Sequence, residues 1–363
     1  MNKNIFYIPL SLVGLFFTLY FLLASTTNFL SVEPGYAIGE ISRWCERISG
    51  GFFREPANAL SNIGFMTTGL LMFWILANEK KIEGSRFHGP TPTALTYAGA
   101  AVFLGPGSLL MHGTHTAWGQ WADWLSMIMW ISIPWLVNIF TMKNWRESLF
   151  VKTYLIVVGL YGLLSWFLGT DLGINFNFWF LSIALWVITE VLQTFYSKPV
   201  RLLSGFVGIA VLAVFGRFPD EIIANFSEYW WVTLFWIPAL FINEKHESNK
   251  KYFPWYWLGI FFYISAWIIC YKVTQANHIV ILIQFFSLMQ FGISCLLVQR
   301  FLFSFSLELQ QQNNLSMHLV SQRLKLISYE TARLGFCIFM YLYNSNTNNN
   351  YFLGFVGNIA DRL

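Results

Sequence analysis

GSLLMHGTHTAWGQWADWLSM, residues 107–127, is the stretch from which the fold of this chain is read. It closes one apolar run and opens the next across a short polar turn. Ser108 and His112 are four residues apart, so on a helix they share one face. Asp123 opens the following apolar run. Polar groups at membrane depth are expensive and usually serve a site. Taken singly each has a plainer reading: a serine bonding its own helix, an interfacial histidine, an aspartate capping a helix. Their convergence at one end of a hairpin argues for a site.

Outward from that hairpin the chain reads as membrane throughout. Of its 363 residues 56% are hydrophobic and only 11% charged, about half the charge of a soluble domain. Apolar runs of about 20 residues, the length that crosses a bilayer, recur. They predict spans near 5–24, 57–77, 93–112, 122–142, 153–169, 174–196, 202–216, 229–243 and 254–273. The fold class is therefore all-α: a polytopic transmembrane helical bundle of about nine to ten spans. The first span lacks a small-residue cleavage site and is read as retained. Alternate loops carry Lys3; Lys80, Lys81 and Arg86; Lys143, Arg146 and Lys152; Lys198 and Arg201; and Lys245, Lys250 and Lys251. The positive-inside rule makes that side, with the N-terminus, cytoplasmic. Glu46, Glu55, Ser108, His112 and Asp123 then lie on the opposite face. The net charge of +4 reflects these loops and gives no reason to expect nucleic acid.

The loop after the first span reads RWCERISGGFFREPANALSNIGF, residues 43–65. Its Gly-Gly turn can fold Glu46 toward Glu55. Two carboxylates, backbone carbonyls and Asn58 are the hard oxygen donors that Ca²⁺ prefers. A solvated loop with ion pairs to Arg43, Arg47 and Arg54 explains the same spacing and is favoured by it.

WCE, then REPANALSN, then S-x3-H with an aspartate eleven residues on, resembles the alkaline ceramidase family, part of the superfamily that includes adiponectin-type receptors. The resemblance is specific over about residues 40–140 and rests on hydropathy elsewhere. It implies a seven-helix core, here with extra helices, and a Zn²⁺ site opening to one leaflet. By resemblance His112 is a zinc ligand. Ser108 helps hold the oxyanion or the metal-bound water, and Asp123 is general base and proton shuttle. Trp44 (through its carbonyl), Glu46 and Glu55 belong to a calcium site. This chain departs there: family members from animals have Asp where Arg43 stands and Asn where Ile48 stands. The implied reaction is metal-dependent hydrolysis of a carbon–nitrogen (amide) bond, ceramide or a related N-acyl sphingolipid giving sphingoid base and fatty acid. The implied partner is thus a membrane lipid, in a bacterial inner membrane or, as the other setting, an organelle membrane. Zinc is the expected cofactor, with calcium as a second cation.

The far end of the chain conflicts with this. A catalytic zinc takes three protein ligands, and the family draws two from H-x-x-x-H in its last helix. No such pair is present. His88 and His246 fall in cytoplasmic loops, His115 is expected to face the turn, and the residue four beyond His278 is Leu282; His318 sits in the polar tail. Read one base out of frame, Asn277 to Cys295 can encode P-H-C-N-P-H-S-I-L-Q-P-H-A-I-W-H-L-L, which resembles the family's closing motif. The division expected is an extra N-terminal helix at 1–30, a ceramidase-like domain at 40–277, and an out-of-frame or degenerate tail at 278–363. The chain as written would then be inactive. A non-catalytic lipid-binding, receptor-like relative is the alternative. A transporter would show paired broken helices with polar groups at mid-depth, and the polar cluster lies at one surface instead. Cys45 and Cys270, both expected at the outer face, are candidates for a disulfide if that face is oxidising.

Overall fold

The structure, a computed structural model, describes residues 3–26, 28–44, 46–81 and 86–243. Among the described residues the regular structure is helical, apart from one isolated antiparallel bridge between Ile41 and Arg47. The elements are α1 Lys3–Ala24, α2 Pro56–Ser61, α3 Ile63–Asn78, α4 Pro92–Thr114, α5 Ala117–Met142, α6 Glu147–Leu168, α7 Phe178–Phe195, α8 Lys198–Val214 and α9 Pro219–Ala224. A 3-10 helix, Trp230–Trp236, then runs into α10 Ile237–Phe241. Among the described residues six segments are long and apolar enough to cross a membrane: α1, α2 with α3, α4, α5, α6 and α7. The protein is an all-α, multi-pass membrane bundle.

Local chemistry sets the helix ends. Thr91, Thr116, Asn177 and Ser197 cap α4, α5, α7 and α8, each side chain accepting a first-turn N–H. The run read as 57–77 is two helices joined at Asn62, whose backbone stays helical (φ −68, ψ −14), so the crossing is nearly continuous. The run read as 229–243 is different. Its 3-10 turn and five-residue α10 cover about 21 Å by their rises, short of the roughly 30 Å apolar layer. Pro238, which offers no N–H, stands where the tighter helix gives way to α10. The span expected at 254–273, the tail at 278–363, Cys45, Cys270 and the histidines at 246, 278 and 318 lie outside the described residues.

Helix α4 is the hub, packing against α1, α2, α3, α5 and α6, while α5 also packs on α7, and α7 on α8. Without a hydrophobic force between helices in lipid, close approach depends on small residues. A Cβ at Gly107 would overlap Ser126 and the Ala122 carbonyl of α5, and one at Gly105 would overlap Met66 and the Asn62 carbonyl. Outward faces stay apolar: Leu155, Leu160 and Phe167 of α6 are exposed, as lipid-facing side chains are.

Candidate active site

The site grows from how α4 ends. The last carbonyls of a helix have no partner within it. Here the loop between α1 and α2 supplies them: the amides of Glu55, Arg54 and Ser31 donate to the carbonyls of His112, Gly113 and Thr114 at 2.9, 2.9 and 2.8 Å. That backbone docking lays Glu55 beside His112. The loop is shaped by its own short pairing, Ser42 N–H to the Glu46 carbonyl at 2.8 Å and Ile48 N–H to the Glu40 carbonyl at 2.8 Å.

Glu55 is fully buried. His112 Nδ1 is 2.5 Å from Glu55 Oε2, and Asn58 Nδ2 donates to the same oxygen at 3.1 Å. The Ser42 hydroxyl donates to Oε1, and His115 Nε2 stands 3.2 Å from that oxygen, slightly off the hydrogen-bond line. Burial pushes the Glu55 carboxyl up, but the bonds from His112, His115 and Ser42 outweigh it and hold it at about 2. Glu46 has a different role. Its two oxygens accept the Ala57 and Asn58 amides at 2.7 and 2.8 Å, capping the start of α2. Burial pushes its carboxyl above the usual range against those bonds, with the neighbouring Glu55 adding to the rise.

On the other side of His112 stands the pair expected to react. Ser108 and His112 both come close enough to the Asp123 carboxyl to act on it electrostatically. Ser108 is buried on α4; Asp123 lies on α5. The edge of Trp44 meets the His112 ring, centroids 5.6 Å apart. Thus Ser108, His112 and Asp123 are brought together, and Glu46, Glu55 and Trp44 gather on the flank of His112. Asp123 is not a helix cap, since Thr116 caps α5 and the helix begins six residues before Asp123. The arginines do not pair with Glu46 or Glu55: Arg43 bonds Glu33 at 2.9 Å, Arg47 the Gly39 carbonyl, and Arg54 the Ser31 and Ser49 carbonyls.

His115 departs from expectation. Rather than facing the turn, it is buried against Glu55 in a left-handed backbone conformation (φ 53) at the end of α4. Its spacing from His112, three residues, carried the signal, because such a pair faces one side of a helix end. Ser42 gave no signal, since only the loop's fold brings it to Glu55.

Among the described residues no group of three His, Cys, Asp or Glu side chains is placed to hold a metal ion. His112 and Asp123 offer one imidazole and one carboxylate, short of the three ligands of a catalytic zinc. The described residues therefore do not by themselves fit zinc.

No curated protein and no solved structure matches the chain. The Ceramidase family model matches residues 41–246, more than half of the chain and the whole of the cluster just described. The chain belongs to the ceramidase family.

Proposed function

We propose that this protein is built to hydrolyse the amide bond of a ceramide-like membrane lipid, with Asp123 and Ser108 as the reacting pair. Family membership supports a ceramide-hydrolysing function in general, acting on amide bonds. The observation that supports the finer reading is the approach of Ser108 and His112, both on α4, to the Asp123 carboxyl of α5. Amide hydrolysis needs a group that takes a proton from the attacking water and returns it to the departing amine. Asp123 is placed for that work. It also needs a donor toward the oxyanion that develops on the carbonyl, and the Ser108 O–H is held on the same face. Glu55 accepts from His112 Nδ1 and so leaves the other ring nitrogen to face this pair, the way a carboxylate commonly orients a working histidine.

Zinc is part of this proposal through His112. An ion held there in part by His112 would supply a water acidified to a pKa of about 7. The remaining ligands would have to come from beyond the described residues, where the family's H-x-x-x-H pair is missing from the sequence. We therefore read the chain as written as inactive, its closing segment displaced by a change of frame. Orientation follows the basic loops: the N-terminus cytoplasmic and the site on the opposite face. The incomplete ligand set also favours a second reading, a lipid-binding relative that does not turn over.

The test uses purified chain as written, a frame-corrected version, and the frame-corrected variants Asp123→Asn and Ser108→Ala, with long-chain ceramide and added zinc. Release of free fatty acid by the corrected chain is expected, with zinc bound in a one-to-one ratio. Asp123→Asn should lower kcat by about 100-fold or more, with KM little changed. Ser108→Ala should cost about 10- to 100-fold. Ceramide binding without release from the corrected chain would transfer the assignment to the lipid-binding reading.

A further inference from the structure

The flank of His112 was expected to bind calcium, and its donor chemistry argues otherwise. A calcium ion takes six to eight oxygens with free lone pairs. An ionised carboxylate presents about four lone-pair sites. At Glu55 three are met by hydrogen bonds, from Ser42 Oγ on Oε1 and from His112 Nδ1 and Asn58 Nδ2 on Oε2, and His115 Nε2 stands over the fourth, 3.2 Å from Oε1. Both oxygens of Glu46 accept amides from the first turn of α2. The Trp44 carbonyl faces Asn58 Nδ2 at 3.4 Å. The Arg43 guanidinium, 5.0 Å from the Trp44 ring centroid, adds positive charge on this flank.

His115 makes this closure specific. Its φ of 53 is a conformation that favours glycine or asparagine at a helix end. A histidine there accepts backbone strain and places a buried imidazole on Glu55. We infer that His115 stands in for the cation: with Ser42 and Asn58 it completes the coordination of Glu55 by protein donors, the site takes no calcium, and His115 is the positioning residue that keeps Glu55 against His112. A neutral imidazole carrying its proton on Nε2 is sufficient, so no change of charge is involved. The positioning role rests on His112 belonging to the reacting centre; the absence of calcium does not.

The experiment needs no substrate, so it is independent of whether the chain hydrolyses lipid. The full chain, purified in detergent, is titrated with calcium chloride by calorimetry and unfolded thermally in millimolar calcium or in EGTA. No saturable heat and the same Tm in both are expected. His115→Gly removes the imidazole and relieves the left-handed backbone, so any loss reports the side chain. It should unfold several degrees lower, and His115→Gln, which restores a donor at similar reach, should regain most of that loss. In ¹⁵N-histidine spectra the His112 ring should be held in its Nδ1–H form in the native chain and in His115→Gln, and lose that fixed tautomer in His115→Gly. A calcium isotherm saturating below millimolar in the native chain, or a Tm raised by calcium, overturns the inference even if the glycine variant does not fold. So does a His115→Gly protein with native Tm and an unchanged His112 ring.

Discussion

At the residue scale, buried carboxylates in this protein do opposite things according to what donates to them. Glu55 has three hydrogen-bonding partners with His115 close by and is held ionised; Glu46 has two amides and is pushed up by burial. Glu79, just past the end of α3, is the clearest case of burial winning. Its carboxyl rises from 4.5 to about 7 because burial outweighs the Gly89 N–H. The folded protein then holds that proton more tightly than the unfolded chain does. Its contribution is most favourable below pH 4.5 and is lost as pH climbs through about 7. Glu79→Gln should remove this decline. Relative to the variant, the native chain should lose on the order of 1 kcal/mol between pH 5.5 and pH 8, after allowance for partial exposure. Thermal unfolding at the two pH values checks it; parallel pH dependence in both proteins would refute the assignment. None of these environments was legible in the sequence. Glu46, Glu55 and Glu79 look alike as letters, and burial against donors from distant segments separates them.

At the element scale, α4 and α5 form the hairpin on which the proposal rests, because they carry Ser108, His112 and Asp123 between them. The hairpin itself was legible from its hydropathy and polar turn. The first turn of α5 was not. Trp118, Gly119 and Gln120 read as part of that turn, yet Thr116 caps the helix ahead of them. The consequence is that Asp123 lies well inside α5 and opposite Ser108 rather than at a helix mouth. Gly107 sets how closely the two helices meet, since any side chain there would run into Ser126 and the Ala122 carbonyl. Gly107→Val should destabilise the protein by about 1–3 kcal/mol through overpacking. It should also part Ser108 from Asp123. The stability loss is read from thermal unfolding in detergent, with Gly159→Val as control, because a Cβ there meets nothing. Equal effects of the two substitutions would show that the α4–α5 contact is not tight.

At the scale of the whole molecule, the basic loops predict which end faces the cytoplasm. Lys198, at the start of α8, and Asp220, in α9, are both exposed and lie on opposite sides of the bundle in that topology. A membrane-impermeant maleimide should label Asp220→Cys in intact cells and Lys198→Cys only after permeabilisation. The reverse pattern would invert the topology and move the site to the cytoplasmic face. Helix number was partly legible. Among the described residues six segments have the length and composition of spans, whereas the stretch read as 229–243 is broken by a 3-10 turn that hydropathy does not distinguish from an α-helix.

The sequence by itself determined that this is an all-helical membrane protein of the ceramidase family, because hydrophobic run length and a spaced motif are properties of the chain's order. It also marked Ser108, His112 and Asp123 as residues of one hairpin. Only the tertiary structure decided what stands around Glu55. The loop between α1 and α2 docks on the unpaired carbonyls of α4 and brings Ser42, Asn58 and His115 to a single carboxylate. That arrangement depends on contacts between residues up to 83 positions apart, from Ser31 to Thr114 (114 − 31), which no local pattern encodes.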